Sequence, residues 1–151
     1  MKLKKELSAG GIVYKKPSSA EASAGKGVLW LTTQHSQHKG WTFPKGLIGD
    51  HDEDETKEEA ALREVGEEGG IKAIIINPEP VKVGYKYKFG EFLVDKTVYY
   101  YLMEYVSGDI KDHDWEVSDA KFLPKEEIRK ILTYKGDKEA FDKIITLFDG
   151  G

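Results

Sequence analysis

Polar and apolar residues alternate along much of this chain with a period of two, which predicts β-strands, and the helical period governs three other segments. The predicted strands are 7–15, 28–34, 41–43, 71–76, 81–89, 96–106 and 120–123, and the predicted helices are 54–69, 125–133 and 137–148. Segment 96–106 is apolar almost throughout, which is typical of a central strand. Residues 16–27 are rich in Ser, Ala and Gly and predict a mobile hairpin loop. The mixture indicates an α/β domain.

Length and composition limit the classes of protein to which this chain can belong. The length of 151 residues predicts one domain, 1–151, and 39% hydrophobic residues suffice for a packed core. The absence of cysteine excludes disulfides, thiolate metal sites and a thiol nucleophile. No apolar h-region follows the charged start, and no stretch approaches the roughly 18 apolar residues of a membrane span. We therefore expect a cytoplasmic protein with no membrane partner.

The predicted helix 54–69 concentrates carboxylates on one face. Glu64, Glu67 and Glu68 stand at positions i, i+3 and i+4, which are neighbours on a helix. Like charges at this spacing cost a few tenths of a kcal/mol per pair, roughly. A hard divalent cation would compensate, because Mg²⁺ and Mn²⁺ prefer oxygen ligands. The alternative is a solvated acidic face, which a chain with 33% charged residues could also present.

The charge distribution is uneven. Residues 50–68 contain ten acidic and two basic residues, a charge of −8, whereas the remainder has 21 basic and 17 acidic residues, a charge of +4. An acidic cluster in a mildly basic surrounding suits an anionic substrate bridged by metal ions. It also suits an acidic helix that is only soluble surface, so charge alone does not decide between them.

A motif with nine specified positions decides between these alternatives. The pattern G-x5-E-x7-R-E-U-x-E-E-x-G-U, in which U is a bulky apolar residue, is filled by Gly49, Glu55, Arg63, Glu64, Val65, Glu67, Glu68, Gly70 and Ile71. It resembles the signature of the Nudix hydrolases. The resemblance implies an α/β/α sandwich around a mixed sheet, covering essentially the whole chain.

The resemblance also implies roles for the residues of the motif. The helix glutamates Glu64, Glu67 and Glu68 would hold divalent metal ions, Mg²⁺ or alternatively Mn²⁺, that bind a diphosphate while water cleaves the phosphoanhydride bond. Glu67 belongs to the catalytic set as well. Arg63 and Glu55 would support catalysis by orienting the carboxylates.

The loop before the motif departs from the family pattern. Family loops commonly run P-K-G directly into the motif, but here eight residues rather than five separate Gly46 from Glu55. Either Gly49 is the first glycine, or Gly46 keeps that role and three residues are inserted. We favour the insertion, because WTFPKG resembles the segment that precedes the motif in members acting on dinucleoside polyphosphates. In such loops the lysine, here Lys45, faces the phosphate chain.

Strand 81–89 offers candidates for substrate binding. Its alternation places three lysines on one face and, on the other, Val81, Val83, Tyr85, Tyr87 and Phe89. The lysine face is either solvated or in contact with phosphates. In relatives that cleave dinucleoside polyphosphates, an aromatic residue just before the strand resembling KTVY stacks on adenine. Tyr87 and Phe89 are the nearest candidates here.

A further carboxylate is expected from a late loop. Related hydrolases supply one there, as metal ligand or as base toward the attacking water. Glu116 lies six residues before Phe122 and matches the family spacing. Asp112, Asp114 and Asp119 are its rivals, and all four could instead cap and solvate the loop.

The segments WTFPKG, KTVYYYLMEY and DWEVSDAKFL resemble the asymmetric diadenosine tetraphosphate hydrolases, which produce ATP and AMP. We therefore expect a small-molecule nucleotide or polyphosphate substrate and no obligate nucleic-acid partner. Diphosphoinositol polyphosphate phosphatases and 5′-RNA pyrophosphohydrolases have similar loops and remain alternatives. So does a Nudix-fold module that senses a nucleotide without cleaving it, although such modules usually lose glutamates of the motif. The sequence leaves the oligomeric state open.

Overall fold

A computed structural model describes residues 2–50 and 52–150; the predicted domain 1–151 also includes Met1, His51 and Gly151, which lie outside the described residues. The strands are β1 (Lys2–Lys15), β2 (Leu29–His35), β3 (Trp41–Thr42), β4 (Lys45–Leu47), β5 (Ile71–Ile75), β6 (Val81–Phe89), β7 (Phe92–Gly108) and β8 (Val117–Leu123). The α-helices are α1 (Ser19–Ser23), α2 (Lys57–Gly69), α3 (Lys125–Ile131) and α4 (Lys135–Gly150), and Ile110–Asp112 forms a 3₁₀ turn.

The strands form one mixed sheet. Its main path runs β3-β2-β1-β7-β5, with β4 paired to β1, β6 to β7 and β8 to β2. β1 and β7 run parallel from the pair Lys2–Phe92 to the pair Tyr14–Glu104, and the other pairs are antiparallel. β7 has β1 on one side and both β5 and β6 on the other. The predicted central position of this apolar strand is therefore confirmed.

Helices cover both faces of the sheet. α2 packs on one face, where its Ala60, Ala61 and Val65 are buried against β1, β5 and β7. α3 and α4 pack on the other face, where Phe141 meets the edge of Trp30 at 5.3 Å between ring centroids. The predicted α/β/α sandwich around a mixed sheet is confirmed.

Local chemistry sets the ends of α2. Thr56 is the N-cap: its hydroxyl accepts from the amide of Glu59, whose carboxylate accepts from the amide of Thr56. The helix therefore begins at Lys57 and not at Asp54 as predicted. It ends, as predicted, at the glycine pair, where Gly70 takes the left-handed conformation at φ 71°.

Other boundaries differ because pairing and capping act across the sequence. β4 was not predicted, since three residues are too few for a period; it forms because its backbone pairs with Ser8–Gly10 of β1. The loop 16–27 contains a short helix, α1, whose N-terminus is stabilised by a capping box between Ser18 and Glu21. β1 and β7 begin before their predicted limits because residues 2–6 pair with residues 92–96, and β7 continues to Gly108 because it pairs there with β5. Across residues 2–50 and 52–150, none of the helices is long and apolar enough to cross a membrane.

We predict that Gly70→Ala destabilises the fold more than Gly25→Ala does. Both glycines have positive φ, 71° and 83°, so alanine at either costs about 1–2 kcal/mol in backbone strain. A methyl group at Gly70 would also lie 2.7 Å from the carbonyl oxygen of Asp109 and from the amide nitrogen of His113, whereas nothing lies within 4 Å of one at Gly25. Urea unfolding would measure the difference, and equal losses of stability would contradict the prediction.

Candidate active site

Two glutamates of α2 are buried between the helix and strand β4. Glu64 is 5% exposed and Glu68 is 9% exposed. The backbone amide of Lys45 donates to Oε1 of Glu68 at 3.1 Å. Gly46 lies so close to the Glu64 carboxylate that a Cβ atom there would collide with it. The turn at Pro44-Lys45-Gly46 therefore lies directly on the carboxylates of α2.

Arg63 joins three carboxylates and the loop before the helix. Its guanidinium donates to Glu55 at 2.7 and 3.0 Å, to Glu64 at 2.7 Å and to Glu67 at 3.3 Å, and also to the carbonyl oxygen of Leu47 at 3.2 Å. The hydrogen bonds to Glu55 and Glu64 and the charges of these two carboxylates raise the pKa of Arg63 above its ordinary value. The guanidinium faces other side chains of the same protein, as the role of orienting carboxylates requires.

The carboxylates interact electrostatically. Burial raises the pKa of Glu64 to about 7 and that of Glu68 to about 8. Repulsion adds to both increases, from Glu67 and Glu116 on Glu64 and from Glu64 and Glu116 on Glu68. Hydrogen bonds from Arg63 and from the Lys45 amide act in the opposite direction. Four carboxyl groups therefore meet at this place, at a cost that a cation would offset.

The donor set suits a hard cation. It consists of carboxylate oxygens with no sulfur or imidazole among them, the set that Mg²⁺ and Mn²⁺ prefer. As the side chains stand, no three His, Asp or Glu groups in the described part of the chain form a finished metal site. In this arrangement Arg63 donates to one oxygen of Glu64, and the Lys45 amide donates to one oxygen of Glu68.

Gly46 and Gly49 differ in their surroundings. Gly46 contacts the Glu64 carboxylate, whereas Gly49 turns the chain at φ 80° and donates its amide to Glu55 at 3.1 Å. On the insertion interpretation, the three additional residues would lie in the loop between Gly46 and Glu55. This geometry agrees with an insertion that leaves Gly46 beside the glutamates.

Glu116 is the acidic residue of the late loop that reaches the cleft. It lines the cleft with Glu68 and affects the pKa of Glu64 and of Glu68. Of the rivals, Asp112 is exposed and Asp119 accepts from the neighbouring amide of Ala120. Asp114 caps Glu116 itself, accepting from its amide at 3.1 Å. The structure thus brings Glu116 to the glutamates of α2.

A cleft of about 1020 Å³ opens beside these carboxylates. Its lysines are Lys45, Lys82, Lys96, Lys135 and Lys143. Its aromatic side chains are His35, His38, Tyr85, Tyr87 and Tyr134. Its carboxylates are Glu68, Glu116, Asp137 and Glu139. The cleft therefore offers acidic groups that could hold cations, basic groups that could hold phosphates and flat surfaces for a base.

Lys96 is a cleft residue that the sequence analysis did not single out. It pairs with Tyr85 across β6 and β7, so both side chains lie on the cleft face of the sheet. Burial, followed by the charge of Lys45, lowers the pKa of Lys96. A lysine at the start of an otherwise apolar strand was the available signal. Two ammonium groups in one cleft favour an anionic ligand.

The two aromatic residues predicted to bind substrate lie in different surroundings. Tyr87 lines the cleft and donates its hydroxyl to Glu6 at 2.8 Å. Phe89 does not line it: the side chain is 72% exposed near the turn between β6 and β7. The expectation that Phe89 binds substrate is therefore corrected, because the strand face that carries these aromatic residues extends past the end of the cleft. Tyr85, on the same face, lines the cleft instead.

A pair of histidines also lines the cleft. The rings of His35 and His38 stack with centroids 4.0 Å apart, and Nδ1 of His38 lies 2.9 Å from the hydroxyl of Tyr134. Burial, with the charges of His35 and Lys45, lowers the pKa of His38. The contact with Tyr134 could not be predicted from the sequence, because the turn after β2 and the residue before α4 meet only in the folded chain.

Comparison with known proteins identifies the family. The model of the NUDIX domain matches residues 19–144. A putative mutator protein MutT4 of Mycobacterium tuberculosis (strain CDC 1551 / Oshkosh) is 33% identical over 108 residues, 70% of this chain and 42% of that protein. The chain thus spans less than half the length of this curated relative.

Similar solved structures cover nearly the whole chain. A Caenorhabditis elegans Ap4A hydrolase in a binary complex superposes with a TM-score of 0.73 and 26% identity over 97% of this chain and 99% of that chain. The NUDIX domain of Shewanella oneidensis NrtR, crystallised with ADP ribose, has a TM-score of 0.59 and 21% identity over 97% and 88%. Because the family model matches well over half of the sequence and includes the glutamate helix, the chain belongs to the NUDIX family.

Proposed function

We propose that this protein hydrolyses phosphoanhydride bonds of nucleoside diphosphate derivatives with a divalent metal ion, and that dinucleoside polyphosphates such as diadenosine tetraphosphate are its substrates, cut to ATP and AMP. One observation carries the proposal: a single cleft is lined by the buried Glu68, by Glu116, by two half-buried lysines and by aromatic side chains. The likeness to the Caenorhabditis elegans Ap4A hydrolase, which is 26% identical over nearly the full length of both chains, supports the choice of substrate.

Each group has a role in this reaction. Glu64, Glu67 and Glu68 would hold Mg²⁺, which when bound acts as a Lewis acid and lowers the pKa of water. Arg63, itself bound to Glu55, keeps the carboxylates of Glu64 and Glu67 in place, so that they have few degrees of freedom left to lose when the ion binds. The charges are thereby arranged before the substrate arrives.

The remaining groups act on substrate and water. Lys45 and Lys96 line the same cleft and would offset the charge of the phosphate chain. Glu116 accepts a proton from the attacking water, because it lies in the same electrostatic environment as the metal-binding glutamates. Tyr85 and Tyr87 provide faces on which a base can stack.

One observation favours a second candidate. Five lysines line the cleft, more cations than a dinucleotide with four phosphates needs. A diphosphoinositol polyphosphate, with phosphates around its ring, would use more of them. The aromatic side chains have no evident role with such a ligand, and for this reason we place the dinucleotide first.

A substrate panel tests the proposal. We expect kcat/KM with Mg²⁺ to be highest for diadenosine tetraphosphate, with equal amounts of ATP and AMP as products. The comparison compounds are nucleoside triphosphates, nucleotide sugars and inositol pyrophosphates. A higher kcat/KM for an inositol pyrophosphate would select the second candidate, and no hydrolysis of any compound would overturn the enzymatic assignment.

Glu68→Gln should abolish metal binding without unfolding the protein. We expect turnover to fall at least about a hundredfold, since the metal contributes several kcal/mol of charge stabilisation. Mg²⁺ should raise the melting temperature of the unaltered protein but not that of the variant. The metal-free variant should be at least as stable, because glutamine buries no charge. Retained activity together with a retained Mg²⁺ shift would contradict the role of Glu68.

Glu116→Gln should reduce kcat by about 10²–10⁴, the range for a general base. Asp112→Asn and Asp119→Asn are matched controls in the same loop, and we expect both to be nearly silent because neither lines the cleft. Steady-state kinetics would measure all three. A fully active Glu116→Gln beside an inactive aspartate variant would transfer the role to that aspartate.

A further inference from the structure

A buried carboxylate on α4 is not used by the reaction described above. Asp137 stands in the first turn of α4, is 6% exposed and lines the cleft. Both of its oxygens accept from hydroxyl groups: Oδ2 from Thr42 at 2.6 Å and Oδ1 from Tyr100 at 2.8 Å. The helix N-terminus stabilises the negative charge.

The hydrogen bond to Asp137 determines how Thr42 is oriented. A hydroxyl has one proton, and an ionised carboxylate can only accept, so Thr42 must donate to Asp137. The lone pairs of Oγ1 are then free for another donor. The ammonium of Lys45 occupies that place, with Nζ 2.8 Å from Oγ1 of Thr42.

Lys45 is also held at its backbone. Its amide donates to Glu68, while its side chain is held through Thr42 by Asp137. One residue therefore connects the glutamates of α2 to the first turn of α4. An unrestrained lysine loses considerable rotamer entropy when it binds a ligand, whereas a lysine held in advance loses less.

We infer that Asp137 is a positioning residue that acts through Thr42 to hold the ammonium of Lys45 against the phosphate chain. This inference rests on the proposed function for the role of Lys45. The competing explanation is that Asp137 only anchors the start of α4 in the core. The two differ in one respect: positioning requires that Asp137, Thr42 and Lys45 act as a unit, whereas anchoring does not.

The experiment measures affinity for inorganic tripolyphosphate by calorimetry in the presence of Mg²⁺, and kcat/KM for diadenosine tetraphosphate in parallel. Thr42→Val should weaken tripolyphosphate binding about tenfold, the size expected when a hydrogen bond to a charged group is lost. Thr42→Ser keeps the hydroxyl and should stay within about twofold of the unaltered protein by the same reasoning. Asp137→Ala should resemble Thr42→Val.

Coupling to Lys45 separates positioning from anchoring. In a Lys45→Met background, Thr42→Val and Asp137→Ala should cause no further loss of affinity, because there is no ammonium left to hold. Tyr100→Phe is the control, since it removes the other hydrogen bond of Asp137. It should lower stability in urea and leave tripolyphosphate affinity unchanged. If Asp137→Ala does not fold, the pair Thr42→Val and Thr42→Ser still decides the question.

The outcomes distinguish the two proposals. Two results would overturn the inference and leave the proposed function intact. One is that Thr42→Val and Asp137→Ala weaken tripolyphosphate binding by the same factor in the Lys45→Met background as in the unaltered protein. The other is that Tyr100→Phe weakens binding as much as Thr42→Val does. A Lys45→Met variant with unchanged affinity would overturn the inference and the role of Lys45. If the coupled pattern appears but no nucleotide is hydrolysed, the inference stands and the proposed function fails.

Discussion

The contacts of Arg63 hold the site together. The like charges on one face of helix α2 repel one another, and the guanidinium of Arg63 lies among the carboxylates of Glu55, Glu64 and Glu67. The same group reaches the carbonyl oxygen of Leu47, so the loop between β4 and α2 is joined to the helix. Because one planar side chain binds all of these oxygens, the loop and the carboxylates keep a common geometry.

Burial makes this arrangement costly. The raised pKa values of Glu64 and Glu68 mean that the folded protein favours their protonated forms more than the unfolded chain does. Above the ordinary carboxyl pKa, the ionised unfolded state therefore gains relative to the folded one, and the metal-free protein loses stability as the pH rises through this range. A bound cation reverses that balance. The site is thus least stable in the form in which it is ready to bind metal.

The sequence predicted best what is local along the chain. The helix period and the glycines at 69 and 70 lie within one segment, so α2 and the shared face of its glutamates were predicted, whereas the cap at Thr56 that sets the start of the helix was not. Glu116 could be foreseen only through family spacing, because no local pattern distinguishes it from the nearby aspartates. The role of these residues in the chemistry remains a prediction.

What the sequence left open depends on contacts between distant segments. Alternation placed Tyr85, Tyr87 and Phe89 on one face, but where the cleft ends depends on how β6 pairs with β7 and on where α4 packs. Lys96 enters the cleft through its register with Tyr85, and Asp137 through its bond to Thr42, 95 positions away. β4 forms because its backbone pairs with β1, not because of any pattern in its own three residues.

The distribution of charge in the cleft distinguishes hydrolysis from simple recognition of a nucleotide. A module that only senses an anion needs lysines and flat side chains, and four mutually repelling carboxyl groups would weaken both its fold and its affinity for the anion. In this protein the carboxylates have their own arginine, a backbone amide from Lys45 and a glycine that leaves them room. Contacts that hold repelling carboxylates together in a cleft are expected of a site that binds cations there. Glu68, Glu116 and the lysines line one cleft, so cations held by the carboxylates would add their positive charge to that of the lysines around a bound phosphate chain.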